Sequence, residues 1–172
     1  MDLFEAIKKR RTVRRFDSNQ AVTDEQVKKL LEAGQWAASA GNLQARFFVV
    51  VRDKTIKDKL AEAAVRQIFI AEAPVVVVVC ADLARSGAKY GYRARELYAI
   101  QDATLAAQNM WLTATALGLA FGWVGAFSGG EVSRILELEE GLRPIAIMPL
   151  GYPAESPSPP PRRPVRNVSK EI

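Results

Sequence analysis

Six cations crowd eight positions near the start of the chain: Lys8, Lys9, Arg10, Arg11, Arg14 and Arg15, with Thr12 among them. Near the other end, Arg162 and Arg163 stand side by side. Planar guanidinium groups pair the oxygens of a phosphate monoester through two parallel hydrogen bonds. Arg10, Arg11, Thr12 and Arg14 are therefore a candidate anion site, with Thr12 adding a hydroxyl donor. Arg162 and Arg163, on a proline-stiffened segment, can reach the same phosphate. Spacing alone favours the plainer reading, a solvated basic patch or a nonspecific contact to nucleic acid. Part of the run also has a local explanation, since cations in the last turn of a helix are each favourable by ~0.3–1 kcal/mol.

Other chemistries are largely excluded. Histidine is absent, which removes Ser-His, Cys-His and His-metal arrangements together. Cys80 is the one cysteine, at the end of five consecutive valines, and reads as a buried structural thiol. A reducing, cytoplasmic setting fits this usage. No G-x-G-x-x-G, G-x-x-x-x-G-K-[ST] or G-x-S-x-G pattern occurs. Glu137, Glu139 and Glu140 read as solvated carboxylates on a polar helix end. The net charge of +5 favours anionic ligands without singling out nucleic acid. Asp2 and Glu5 interrupt any signal-peptide pattern. Residues 103–119 carry Gln108, Asn109, Thr113 and Thr115, so they read as a buried core helix and not a membrane span.

The elements that must position the cations follow from periodicity. Residues 2–9 predict a short helix, and residues 12–16 an extended segment with Val13 and Phe16 facing inward. Thr23 and Gln26 form a capping box that starts a helix running on through Trp36, Ala37 and Ala38. Residues 47–51 predict a buried strand, residues 53–70 a helix, and residues 75–81 a strand covered on both faces. A polar loop is expected over 86–91, then a long helix over 94–117. Strands are expected at 119–124 and 144–150, with a short helix over 131–138 between them. Residues 151–172 form an extended, proline-rich tail that cannot build a core itself. At 172 residues the chain predicts one domain, 1–172, of α/β or α+β type with about four or five strands. Trp36, Trp111 and Trp123 read as packing residues, and one of Tyr90, Tyr92 and Tyr98 as a pocket-mouth residue.

Arg10-Arg11-Thr12-Val13-Arg14-Arg15-Phe16 resembles the opening R-R-[ST]-x-R-x-[FY] of the nitroreductase family of FMN-dependent flavoproteins. Ala38-Ser39-Ala40-Gly41-Asn42-Leu43-Gln44, followed by Phe48-Val49-Val50, resembles that family's P-S-x-x-N-x-Q-P-W-x-F-x-V segment. The long helix with Gln101-Asp102-Ala103 and Gln108-Asn109, then Gly122-Trp123-Val124-Gly125-Ala126-Phe127, Leu150-Gly151-Tyr152-Pro153 and Arg162-Arg163-Pro164, extends the likeness over nearly the whole chain. Departures are Ala38 for proline, Ala45-Arg46 for Pro-Trp, and Ala40, which has no hydroxyl.

The resemblance implies an α+β nitroreductase-like fold with a central, mostly antiparallel sheet flanked by helices. It implies a homodimer with the C-terminal tail exchanged and two FMN sites at the interface. Arg10, Arg11, Thr12 and Arg14 would come from one subunit, with the phosphate near Arg10, Thr12 and Arg163 and the ring's pyrimidine end near Arg14. Ser39, Ala40 and Asn42 would come from the other. Backbone at Val124, Gly125 and Ala126 would edge the ring near N5, and Gln67 would make a ribityl or ring contact. The activity implied is hydride transfer from NADH or NADPH to flavin N5 and then to an acceptor such as a nitroaromatic or quinone, by a ping-pong route. Catalysis would need no side-chain nucleophile, because the flavin carries the chemistry. Alternatives are a reductive dehalogenase or flavin-fragmenting relative on the same scaffold, or a non-catalytic flavin- or nucleic-acid-binding module. No membrane or nucleic-acid partner is expected on the leading reading, and the chain's length leaves little room for substrate-gating insertions.

Overall fold

The structure is a computed structural model and describes residues 1–172. Its centre is β2 (Val75–Asp82), the valine run. Side chains alternate faces along a strand. Val75, Val77, Val79 and Ala81 accordingly enter one apolar cluster, and Val76, Val78 and Cys80 the other. β2 pairs antiparallel with β1 (Arg46–Val51) on one side and β4 (Leu142–Gly151) on the other. The short β3 (Ala120–Phe121) closes the order β1-β2-β4-β3. The sheet thus has four strands, all antiparallel.

Helices cover both faces, as a sheet that is apolar on both sides requires. The first cluster lies under α2 (Asp24–Gln35) and α6 (Ala99–Ala116), through Leu30, Ala103, Ala107 and Met110. The second lies under α3 (Lys54–Ala63), α4 (Phe69–Glu72) and α7 (Gly129–Ile135), through Leu60, Ile70 and Val132. α1 (Leu3–Lys9) packs on α6, and α5 (Leu83–Arg93) leads into it through a π turn at Ala94–Tyr98. The predicted cap at Thr23 forms, and the structure adds a second at Asp2: each side chain accepts from the amide of the third residue of its helix, whose side chain accepts from the cap's own amide in return.

Several expectations are corrected. The 53–70 helix breaks after Ala63, because Val65 and Arg66 turn into the left-handed region at φ 58° and 56°. The loop expected at 86–91 is part of α5, capped by Asp82, with glycine tolerated as it turns at Gly91. β1 is an edge strand, so Phe47 is half-exposed where burial was expected. The strand expected at 119–124 shortens to two residues, and Val124 keeps only an isolated bridge to Ile147. α2 ends at Gln35, and Trp36 is 89% exposed, hence not a packing residue within one chain. No helix is long and apolar enough to cross a membrane.

Candidate anion and cofactor site

The segment after α1 lies along the sheet edge because glycine lets it approach. The Val13 amide donates to the Phe121 carbonyl at 3.2 Å, and a Cβ at Gly122 would come within 2.9 Å of the Val13 oxygen. Only glycine fits there without moving that segment. Val13 is buried, which leaves its neighbours Thr12 and Arg14 on the outer side.

The cations of this segment then part company. The Arg10 guanidinium lies over the Trp111 ring, 4.4 Å from its centroid. Burial first, then the charges of Arg162 and Arg11, pull the Arg10 pKa below the ordinary arginine value. An arginine remains charged under such pressure, so three like charges converge with no carboxylate between them. Arg11 donates to the carbonyls of Lys8 and Arg10 at 2.7 and 2.8 Å, closing the end of α1, and its Nε is buried without a partner. Arg14 is exposed, with its guanidinium 5.9 Å from the Phe69 ring centroid. Arg15 instead forms an ion pair with Glu155 at 3.4 Å.

Arg162 thus comes to Arg10 from the tail of the same chain. Arg163, which the resemblance put at the phosphate, donates to the Asn167 carbonyl within the tail at 2.7 Å.

The Arg10 end connects to the turn at residues 124–126 through aromatic rings. Trp111 stacks parallel to Trp123 at 6.0 Å, with an interplanar angle of 2°. A Cβ at Gly125 would meet nothing closer than the Trp123 Nε1, at 3.6 Å. Gly125 and Ala126 are exposed, while Val124 is held by its bridge to Ile147. From below, Gln67 donates to the Ala64 carbonyl at 2.9 Å and to the Ala126 carbonyl at 3.4 Å. The left-handed pair Val65 and Arg66 delivers Gln67 to that position, and a β-branched residue such as valine adopts this conformation only at an energetic cost.

Ser39, Ala40 and Asn42 lie elsewhere. They form a 3-10 turn, Ala40–Asn42, in which the Ser39 hydroxyl accepts from the Gln44 amide at 3.0 Å. Asp102, buried in α6, accepts from the Ala40 amide at 3.0 Å, and its second oxygen has no partner. Arg46 holds the preceding segment, donating to the Gln35 side chain and to the carbonyls of Gln35 and Ala37. Those carbonyls bracket Trp36. A cleft of about 660 Å³ runs along Ser39, Ala40, Tyr98, Ile100 and Asp102. Tyr98 therefore lines a pocket, while the Tyr90 hydroxyl and the Lys89 ammonium lie over Gly41.

The two groups stay apart within one chain. Asp102 and Trp111 are nine residues apart on α6, which is about 13 Å along the axis and about half a turn around it. One group touches one side of α6 and the second group the other. Sequence reasoning missed Asp102, Arg46, Trp111 and Trp123 as site-building residues. A lone acid in an apolar helix was a readable signal for Asp102. Nothing in the order of residues distinguished Trp111 from any other core filler.

Fold and site define an α+β protein that gathers unpaired cations beside an antiparallel sheet. The chain matches the Nitroreductase family over residues 7–69 and 63–152. It is 32% identical over 195 residues to an NADH dehydrogenase of Thermus thermophilus, spanning 98% of this chain and 95% of that protein. The structure of the NADPH:FMN oxidoreductase of Vibrio harveyi complexed with NAD+ superposes with a TM-score of 0.90 at 30% identity, over 98% of this chain and 76% of that one. A nitroreductase family protein from Streptococcus pneumoniae superposes with the same TM-score, 0.90, at 26% identity over 99% and 100% of the two chains. This chain belongs to the nitroreductase family.

Proposed function

We propose that the protein is an FMN-dependent NAD(P)H oxidoreductase, one domain over residues 1–172 with residues 151–172 as its tail, working as a homodimer. The carrying observation is the Arg10 guanidinium, flanked by Arg162 and Arg11 and free of any carboxylate. A phosphate monoester, close to a dianion, is the ligand that such a cluster fits. Arg10, Thr12 and Arg162 would hold the phosphate, with Arg11 and Arg163 adding to the positive field. The open approach at Gly125 suits a flat ring, with the amides of Val124, Gly125 and Ala126 along its edge and Gln67 bracing the turn beneath. Arg14, exposed and without a carboxylate partner, would offset negative charge on the ring.

Bound FMN would accept hydride from NADH or NADPH and pass it to an acceptor such as a nitroaromatic or quinone. The chain's part is to bind, orient and set the field, which accounts for an enzyme without histidine.

A second copy supplies what one chain cannot. Ser39, Ala40 and Asn42 lie on the far side of α6 from Arg10, so a shared site takes one group from each subunit. Exposed apolar residues on α1, on α6 and just after α2, among them Phe4 at 73%, Leu105 and Trp36 at 89%, favour such a partner.

Purified protein should be yellow and bleach when NADH or NADPH is added without air. Arg10→Ala combined with Arg162→Ala should lose the colour while remaining folded. A colourless protein that takes up no FMN sinks the reading, and steep salt-dependent DNA binding in its place would favour the basic-module alternative.

A further inference from the structure

We infer that Trp111 is the positioning residue of the phosphate site, holding Arg10 so that its donors face the anion; this rests on the flavin-phosphate reading above. A guanidinium carries its five N–H donors in its own plane. Stacking on an aromatic face occupies the plane's flat side and leaves the donor edge free. Arg10 lies 4.4 Å from the Trp111 centroid and makes no hydrogen bond or ion pair through its side chain. Arg11, one residue on, shows the contrast, because two carbonyls hold its Nη1.

The stack also answers an electrostatic difficulty. Arg162 and Arg11 both repel Arg10, and burial weakens its hydration. Without an attractive surface the side chain would swing out into water. The negative face of the indole supplies that attraction, and Trp123, lying parallel to Trp111 with its centroid 6.0 Å away, keeps the ring from turning. A second observation is independent of the stack. The Trp111 Nε1 is buried with no hydrogen-bond partner. An apolar side chain would fill the same space without leaving a donor unmet, so packing alone does not account for a tryptophan here.

The inference separates FMN from riboflavin, which differ only in the phosphate. Affinities of the apoprotein for both, and for inorganic phosphate, would be compared in wild type, Trp111→Leu and Trp111→Phe. Trp111→Leu should weaken FMN binding about three- to thirtyfold and leave riboflavin within about twofold, as expected for loss of one cation–π contact. Trp111→Phe, which keeps a ring, should fall between the two. Parallel weakening of FMN and riboflavin, or unchanged FMN affinity in Trp111→Leu, would overturn the inference and return Trp111 to packing. A wild type that binds phosphate but neither flavin would sink the functional reading instead. Trp111 would then be judged on phosphate, its role supported if Trp111→Leu loses that affinity and overturned if it does not. A wild type that binds neither flavin nor phosphate overturns both.

Discussion

Arginine has three different duties in this chain, and only its surroundings tell them apart. Arg10 keeps its donors free on an aromatic face, Arg11 closes a helix end, and Arg46 is a buried clamp. Arg46 stands where the family pattern has tryptophan, and it replaces packing by three hydrogen bonds to Gln35 and Ala37. Burial lowers its pKa and the Asp102 carboxylate partly opposes that. Arg46→Met should therefore remove about 2 kcal/mol of stability, seen as a lower urea midpoint with an unchanged slope. It should also loosen residues 37–42 and hence weaken FMN retention. The candidate residues Arg10, Arg11, Thr12 and Arg14 were legible as a cluster because they adjoin in sequence. Their division of labour was not, since it depends on Trp111 and Phe69, which no spacing rule connects to them.

Among the elements, the strongest sequence signals were those written locally. The capping box at Thr23 and the valine run of β2 depend on neighbours in sequence, and both form as read. The break between α3 and α4 was hidden because Val65 and Arg66 have no intrinsic preference for a left-handed turn. That turn is tied from outside, by Gln67 to Ala126 and by the Ser128 amide to the Ala63 carbonyl. The tail is tied in a comparable way. Glu155 accepts from the amides of Arg14 and Arg15, and pairs with the Arg15 side chain. The Arg14 amide, followed by the Arg15 amide and charge, lowers the Glu155 pKa from its ordinary 4.5. A depressed carboxyl stabilises the fold above its ordinary pKa, and that contribution is lost as pH falls through the lower folded value. Acid titration should thus release residues 153–157 as pH falls below the ordinary glutamate range, detectable as faster pepsin cleavage of the tail. Glu155→Gln should remove this acid step at a cost of under about 1 kcal/mol, since the group is near the surface.

At the scale of the molecule, the proposed function makes the two residue groups on opposite sides of α6 half-sites of one chain. A dimer that completes them ties cofactor affinity to association by mass action. Sedimentation should show twice the mass of one chain, and dilution below the dimer's dissociation constant should release flavin. Trp36→Glu, at the exposed end of α2, should shift that equilibrium toward monomer without changing the folded monomer's circular dichroism. By itself the sequence determined the caps, the central strand, the alternation that buries both sheet faces, and the order of motifs that marks the family. Those are properties of nearest neighbours and of a period of two or of 3.6. Only the tertiary structure decided which arginine keeps its donors free, which tryptophan faces water, and how far Asn42 lies from Arg10. Such facts are set by contacts between residues distant in sequence, where several packings satisfy the same local pattern and the core selects one.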